Sequence, residues 1–259
     1  MHSATARNLA PIRPGERTNP QGKAVANKIL LSISNSEYDS VRPYLEHVAL
    51  VRHKVLHEPN EKLQFVYFPN AGLLSLVVLT ADGKSVEAGK EGIAGMASAV
   101  GLMRSPLREI VQIAGDGFRI PVASLQEVLR FAPQLQMMLR RHAVLHGLRV
   151  SQTAACNRLR NVEQRLARWL LIVRIRSASD SMVITHDFLA GMLGTDRPSV
   201  SLAAANFQRR QIIEYTRGAL RILNCRKLEK SACQCYAVIR QLDEDPGIKQ
   251  TNERRRLRG

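Results

Sequence analysis

The stretch from Ile184 to Phe207, ITHDFLAGMLGTDRPSVSLAAANF, restricts the fold of this chain more than any other part of it. Thr185 can cap a helix, and Asp187 in the first turn suits the positive end of the helix dipole. The apolar residues of this helix recur at helical spacing, at Phe188, Leu189, Met192 and Leu193. Gly194 follows them, where a helix end favours a residue that tolerates a positive φ. The pattern predicts a short helix that ends in a tight turn.

A second helix is predicted directly after this turn. Asp196 can cap it, and Pro198 fits its first turn, where the missing N–H costs little. Its apolar face consists of Val200, Ala203, Ala204 and Phe207. The small Ala190 falls where the two helices would cross. Two short helices joined by a tight turn make a helix-turn-helix, although an ordinary αα-hairpin within an all-α domain would show the same pattern.

The residues after the second helix favour the first of these interpretations. Residues 212–216 and 219–223 predict two strands, and Arg217-Gly218 predicts the turn between them. A helix-turn-helix followed by a hairpin is a winged helix. Its hairpin tip, at Thr216 and Arg217, would lie near a phosphate backbone.

The segments ITHDFLAGMLGTDRPSVS and NFQRRQIIEYTRGALRIL resemble the Crp/Fnr family of bacterial transcription regulators. The resemblance covers most of the chain and is strongest over residues 161–223. It implies a cytoplasmic α+β protein with an N-terminal double-stranded β-roll like that of cyclic-nucleotide-binding domains, a long dimerisation helix and a C-terminal winged helix-turn-helix. We therefore expect a homodimer that binds a palindromic operator in double-stranded DNA, with RNA polymerase as a further candidate partner.

The expected domain boundaries follow this organisation. They are a flexible N-terminal arm over 1–24, the β-roll over 25–132, the dimerisation helix over 133–160, the winged helix-turn-helix over 161–242 and a basic C-terminal tail over 243–259. Helices are predicted at 24–33 and 36–50, and strands of the roll at 48–55, 63–68, 73–80, 85–89, 109–113 and 117–121. Ala81-Asp82-Gly83-Lys84 predicts a hairpin turn.

The roll departs from the pattern by which its relatives bind cyclic nucleotides. The resemblance implies a Gly-Glu pair and a later Arg-Ser/Thr pair for the ribose and the cyclic phosphate, but here Met96 follows Gly95. A thioether cannot replace the carboxylate, and burying the ribose hydroxyl unpaired costs about 1–3 kcal/mol. Arg104 and Arg108 could still bind an anionic effector, although such residues more often lie on a solvated face. We expect a degenerate effector pocket, and a roll that still binds a nucleotide or another effector is the alternative.

The long helix predicted over 134–160 carries a broken seam of apolar residues. These residues are Leu135, Met138, Leu139, His142, Leu145, Leu148 and Cys156, with Arg149 and Gln152 as interruptions. The spacing indicates an imperfect coiled coil, and the alternative is a single helix packed on its own roll. His142 and His146 are one helical turn apart but have no visible third metal ligand. The next helix, over 162–176, is predicted to bury Leu166, Trp169, Leu170 and Val173 and to expose Arg165, Arg168, Arg174 and Arg176.

The net charge of +16 is concentrated in the C-terminal half. Residues 140–259 contain 23 of the 38 Lys and Arg residues and 10 of the 22 Asp and Glu residues. Such a field attracts polyanions. A membrane surface is the weaker interpretation, because no basic amphipathic helix with an aromatic face and no apolar run long enough to span a bilayer is present.

The cysteines do not predict a metal site, and no motif predicts an enzyme. Cys225, Cys233 and Cys235 form a C-x7-C-x-C run that is not a usual zinc spacing, and Cys156 is distant in sequence. We expect reduced thiols, no metal and no cofactor. Some Crp/Fnr relatives hold an iron–sulfur cluster through N-terminal cysteines, but this chain has none before position 156. Gly-rich phosphate loops and the GxSxG and HExxH motifs are absent, so we expect no catalytic activity.

The predicted DNA contacts fall into two groups. The phosphate contacts are Thr185, His186, Ser199, Arg209, Arg210 and Arg217, and the base contacts are Arg197, Pro198, Ser201 and Leu202. By resemblance, Arg197 holds the position of a base-reading arginine, which can grip guanine O6 and N7. A pair with Asp196 or with a phosphate is the alternative for Arg197. The best-known relatives carry Glu and Arg where this chain has Pro198 and Leu202, so its operator should differ from theirs.

Overall fold

The computed structural model describes residues 12–79, 85–177 and 179–244. The chain forms two compact units, Met1–Val144 and Leu145–Gly259. Across the described ranges, none of the helices combines the length and apolar character that crossing a bilayer requires.

The first unit is built from short helices and two antiparallel sheets. Its helices are α1 (Lys28–Ser32), α2 (Asn35–Val41), α3 (Val122–Leu129) and the start of α4 (Pro133–Leu159). Its strands are β1 (Glu46–Leu50), β2 (Val55–His57), β3 (Phe65–Pro69), β4 (Leu73–Leu79), β5 (Ser85–Glu91), β6 (Arg108–Ile113) and β7 (Gly115–Pro121).

The two sheets have the strand orders β2-β6-β4-β5 and β1-β7-β3. Strands β4 and β5 pair from Leu74 opposite Glu91 to Leu79 opposite Ser85. The hairpin turn predicted at residues 81–84 lies outside the described residues. The predicted α+β class with an N-terminal roll is confirmed.

The larger apolar cluster of the roll lies between the β1-β7-β3 sheet and the helices, and a smaller one contains Leu50, Tyr67, Leu74, Ala94 and Val111. Phe68 of β3 and Phe118 of β7 are directly opposite each other and fully buried. Leu30 of α1 and Leu125 of α3 join them in the same apolar cluster. Full burial of each large apolar side chain contributes about 1.5–3 kcal/mol.

Residues 12–24 differ from the predicted flexible arm. Arg17 is 5% exposed and donates hydrogen bonds to the carbonyls of Leu30 and Ile33 and to the side chain of Asn35. Asn19 is fully buried and donates to the carbonyl of Leu45. The polar composition suggested solvation, but these side chains satisfy carbonyl groups at helix ends, which is why they are buried. Residues 1–11 lie outside the described part of the chain.

Two predicted boundaries in the roll are also wrong. The helix predicted over 36–50 ends at Val41, and a 3₁₀ turn that contains Pro43 (Arg42–Tyr44) leads into β1. The single strand predicted over 48–55 is instead β1 and β2, separated by a turn in which His53 has a φ of +66°. Proline lacks the N–H that would continue the helix, which accounts for the early end of α2.

Helix α4 does not use the predicted seam as one face. Leu135 and Leu139 are buried in the core of the roll, and Cys156 is fully buried in the second unit. Among its exposed apolar side chains, Met137, Val144 and Leu148 lie at intervals of seven and four residues, and Leu159 is exposed at its C-terminal end. The sequence pattern merged these faces because a helix with apolar residues on several sides has no single stripe.

The second unit surrounds a central helix with smaller elements. They are α5 (Val162–Ser177), β8 (Ser181–Val183), α6 (His186–Leu193), α7 (Arg197–Arg209), β9 (Ile213–Thr216), β10 (Ala219–Ile222), α8 (Cys225–Ser231) and α9 (Cys235–Glu244). Strand β8 precedes the helix-turn-helix and pairs with β10. The wing is followed by the two helices α8 and α9.

Helix α5 is buried on more sides than predicted. Leu166, Trp169, Leu170 and Val173 are buried as expected. Arg165 and Arg168, predicted to be on a solvated basic face, are only 7% and 4% exposed. The reason is that α6, α7, α8 and α9 all pack against α5.

Candidate nucleic-acid interface

The first helix of the motif, α6, is capped at both ends as predicted. The Thr185 hydroxyl accepts a hydrogen bond from the backbone N–H of Phe188, and Asp187 lies in the first turn. Gly194 ends the helix with φ +60° and ψ +48°. This left-handed conformation is the reason that glycine is favoured there.

The second helix, α7, begins at Arg197 with Pro198 in its first turn. The carboxylate of Asp196 accepts hydrogen bonds from the backbone N–H and the hydroxyl of Ser199, at 2.8 and 2.9 Å. These hydrogen bonds hold the pKa of Asp196 below its ordinary value. This cap fixes the start of α7 at Arg197.

The two helices pack through small and apolar side chains. Leu189, Ala190 and Leu193 of α6 and Val200, Ala203, Ala204 and Phe207 of α7 are all buried. Trp169 of α5 makes an edge-to-face contact with Phe188, with ring centroids 6.1 Å apart. The helix-turn-helix is therefore fixed on α5 rather than being a free hairpin.

The buried side chain of Arg165 binds the turn between α6 and α7. Its guanidinium donates to the backbone carbonyls of Asn157, Leu193 and Gly194. The carbonyls at the end of a helix have no partner within the helix, so this buried cation satisfies groups that would otherwise be unpaired. Sequence reasoning missed this role because the partners are far from Arg165 along the chain.

The hairpin after α7 forms a wing. Strands β9 and β10 are joined by Arg217 and Gly218, both with positive φ, at +47° and +84°. Two positive φ values define a type I′ turn, whose twist matches that of the strands. The Tyr215 hydroxyl donates to the carbonyl of Ile184, 3.1 Å away, so the wing is tied to the start of α6.

A small polar cluster links α6, α7 and the wing. The His186 ring stacks on Tyr215 at a centroid distance of 4.2 Å, and its Nδ1 hydrogen-bonds the Ser201 hydroxyl at 2.8 Å. Burial lowers the pKa of His186, and the nearby charge of Arg197 lowers it further. His186 and Ser201 are half-buried, so both have structural partners as well as partial access to solvent.

Most of the predicted DNA contacts are on the outside of the motif. The exposed members are Thr185, Arg197, Pro198, Leu202, Arg209, Arg210 and Arg217, and Ser199 is half-buried. The neighbour of Arg197 is Asp187, 3.6 Å away, and both side chains are about two-thirds exposed, at 65% and 68%. Such an exposed pair contributes only about 0–1 kcal/mol, so it leaves the guanidinium available.

Arg210 is placed differently from the rest. It donates to the hydroxyl of Ser231 in α8, at 3.1 Å, and lies 3.7 Å from the Glu163 carboxylate. These contacts attach the end of α7 to α8 and α5. Two exposed positions of α7 that we did not predict, Ala205 and Gln208, continue the face of Arg197 and Leu202 at helical spacing. That spacing was the signal by which they could have been found.

The two residues predicted for an effector both have partners within the roll. Arg108 forms an ion pair with Glu58 at 2.8 Å, and the exposed Arg104 donates to the carbonyl of Asn60. Each arginine is therefore engaged in a contact within the roll.

The backbone at Gly95 is also satisfied from within the chain. The Glu109 carboxylate accepts the Gly95 N–H at 2.6 Å and the Nδ1–H of His57 at 2.6 Å. Glu109 and His57 are 5% and 7% exposed. A carboxylate of the protein thus lies at the Gly95-Met96 turn, where the resemblance implies a nucleotide. We did not predict this pair from the sequence.

The two packed helices, the wing and the exposed face of α7 define this chain as a winged helix-turn-helix protein. Comparison with known proteins agrees: residues 164–231 match the Crp-like helix-turn-helix domain. No curated protein has detectable similarity in sequence to the chain.

Similar solved structures extend over most of the chain. A putative transcriptional regulator of the Crp/Fnr family from Eubacterium rectale has a TM-score of 0.63 at 15% identity, over 76% of this chain and 94% of its own. FixK2 from Bradyrhizobium japonicum has a TM-score of 0.61 at 16% identity, over 73% and 98%. A CRP-family transcriptional regulator from Thermus thermophilus has a TM-score of 0.58 at 21% identity, over 71% and 96%. The chain has the fold of a Crp/Fnr-type transcription regulator, and its C-terminal part is a Crp-like helix-turn-helix domain.

Proposed function

We propose that this protein is a homodimeric, sequence-specific DNA-binding transcription regulator that acts in the cytoplasm without a cyclic nucleotide. The observation that carries the proposal is the exposed face of α7, with Arg197 at its N-terminal end and Leu202 five residues further on. A helix presented in this way fits the major groove, where an arginine can read guanine and an apolar side chain can contact a thymine methyl.

Phosphate contacts would fix the position of this helix on the duplex. Thr185 at the start of α6, Arg209 at the end of α7 and Arg217 at the tip of the wing are all exposed. They lie in the half of the chain that carries most of the net positive charge. The backbone N–H groups at the starts of α6 and α7 add further donors.

Dimerisation is supported by the exposed apolar side chains of α4. Met137, Val144 and Leu148 are 59%, 64% and 49% exposed, and they recur at the seven- and four-residue intervals of a coiled coil. A dimer would present two recognition helices about 34 Å apart, one for each half of a palindromic operator.

Independence from cyclic nucleotides is supported by the contacts of the roll. Glu109 accepts the Gly95 N–H, and Met96 replaces the glutamate that the resemblance implies. The Met96 thioether cannot accept the hydrogen bond of a ribose hydroxyl, and the Gly95 N–H is already bonded within the chain.

The test is selection of bound sequences from random duplexes by the purified chain, with no ligand added, at low and at moderate salt. We expect enrichment of a two-fold symmetric site, and no change in its affinity when cyclic AMP or cyclic GMP is added. Equal binding to all sequences, or none, would refute a regulator of this kind. Enrichment that requires a nucleotide would support instead the alternative of a ligand-switched sensor.

A further inference from the structure

Three of the four cysteines meet in the second unit. Cys156 comes from α4, Cys233 from the segment between α8 and α9, and Cys235 from the start of α9. Their sulfur atoms all lie within 4.8 Å of one another, and the Cys156 and Cys233 sulfurs are 3.3 Å apart. The three residues are 0%, 5% and 3% exposed and form a buried cluster of their own. Spacing along the chain does not indicate this cluster, because 77 positions separate Cys156 from Cys233.

The spacing of the three sulfurs suits a common metal ligand set. Zn–S bonds are about 2.3 Å long, which places sulfurs around a tetrahedral ion about 3.8 Å apart. The Cys156–Cys233 distance of 3.3 Å and the upper limit of 4.8 Å for all three pairs bracket that value. A disulfide would use only two of the three thiols, and it would not explain why the third lies beside them.

A buried arginine lies near the cluster. Arg168 is 4% exposed and donates to the Thr153 hydroxyl, one turn before Cys156 on α4. Three thiolates and one metal ion leave a net negative charge, and a buried arginine beside them would compensate it.

We propose that Cys156, Cys233 and Cys235 bind one thiophilic metal ion, zinc(II) or copper(I), by their thiolate sulfurs. Within the described residues this cluster contains no histidine or carboxylate ligand. An all-sulfur set selects soft ions and disfavours magnesium and calcium. Copper(I) accepts three thiolates, whereas zinc(II) would complete its shell with a fourth ligand such as water. Each thiol loses its proton to solvent as its sulfur binds the ion, and no electron is transferred.

Such a site would connect the C-terminal end of α4 to the α8–α9 segment. Bound metal should therefore stabilise the second unit against unfolding, because the ligands come from distant parts of the chain. Any effect on operator affinity would depend on the function proposed above, whereas metal binding itself does not.

The experiment uses the full chain, reduced and freed of metal by chelation under anaerobic conditions. Zinc(II) and copper(I) are titrated separately against competing chromophoric chelators, and cobalt(II) is added as a spectroscopic probe. We expect one equivalent of at least one of the two ions per chain, and thiolate-to-cobalt charge-transfer absorption. Cys156→Ala, Cys233→Ala and Cys235→Ala should each weaken binding at least about tenfold, the smaller effect typical of losing even an indirect partner of a metal.

The matched control is Cys225→Ala, because Cys225 is half-buried and contacts Glu229 instead of the cluster. It should bind metal as the unmodified chain does. Circular dichroism identifies a variant that fails to fold, and the other two variants then decide the outcome. Failure of both ions to bind, or an equal loss in Cys225→Ala, would overturn the proposal. So would a reduced chain that forms only a Cys156–Cys233 disulfide on exposure to air and takes up no metal.

Discussion

Arg197 lies at the N-terminal end of the exposed face of α7, and its ion-pair partner within the described residues is the exposed Asp187. Because that pair is solvated, breaking it to reach a base costs little. A guanidinium at the start of such a helix can make two hydrogen bonds to one guanine. The role proposed for Arg197 is therefore specificity at one position of each half-site.

Replacing Arg197 tests this role. Arg197→Ala should cost about 1–3 kcal/mol of binding to the selected operator and relax the preference at one base pair per half-site. The measurement is the affinity for the operator and for its single-base variants. Arg217→Ala is the control. Loss of a phosphate contact should weaken binding to all sequences alike and reduce the slope of log affinity against log salt concentration by about one. If Arg197→Ala behaved in the same way as Arg217→Ala, Arg197 would be a phosphate contact.

The lowered pKa of His186 predicts that the stability of the second unit depends on pH. Burial and Arg197 lower the pKa of His186 below its ordinary value, so the folded chain binds this proton less readily than the unfolded chain does. The neutral ring therefore contributes fully to the free energy of unfolding above about pH 6.5. This contribution is lost as the pH falls from there toward the lowered pKa.

We therefore expect the urea midpoint of the second unit to fall as the pH is lowered from neutral, by more in the unmodified chain than in His186→Phe. Phenylalanine can keep the stacking on Tyr215 but does not titrate. Fluorescence of Trp169, the single tryptophan, reports this transition because it is buried against Phe188. An unchanged pH dependence in His186→Phe would exclude His186 as the source.

At the scale of elements, the helix-turn-helix depends on its turn. Gly194 adopts φ +60°, and a Cβ added there would meet only the Asn157 side chain, at 3.9 Å. The constraint on this position is thus the backbone conformation and not the space around it.

Gly194→Ala should consequently destabilise the second unit by about 1 kcal/mol, since a left-handed conformation costs an alanine about that much. Gly194→Asn should cost less, because asparagine tolerates this region. Urea unfolding followed by Trp169 fluorescence measures both. Equal stability of the alanine variant and the unmodified chain would show that the turn is not so constrained.

Packing between elements also explains why the buried faces of α4 and α5 were predicted incorrectly. Apolar residues of α4 contact the roll at Leu135 and Leu139, whereas Met137 and Leu148 are exposed. Arg165 in α5 is buried because its guanidinium satisfies backbone carbonyls from other elements. Periodicity reports that a side chain is apolar or charged but does not report which element covers it.

At the scale of the whole molecule, the exposed side chains of α4 carry the proposed dimer. Leu148→Glu should raise the dimer dissociation constant at least about tenfold, because burying two unpaired carboxylates costs several kcal/mol. Sedimentation velocity measures the change, and operator affinity should decline with it. Val238→Glu is the control, as Val238 is a 39% exposed apolar residue of α9 outside this face. A dimer unaffected by Leu148→Glu would place the interface elsewhere.

Local sequence signals specify the winged helix-turn-helix almost residue by residue. The caps at Thr185 and Asp196, the glycine turn at Gly194 and the hairpin turn at Arg217-Gly218 all depend on neighbours within a few positions. The burial of Arg165, the pairing of Glu109 with Gly95 and the meeting of Cys156 with Cys233 became visible only in the folded chain. These contacts join residues from 14 to 77 positions apart, and no local pattern in the chain specifies which distant groups the fold brings together.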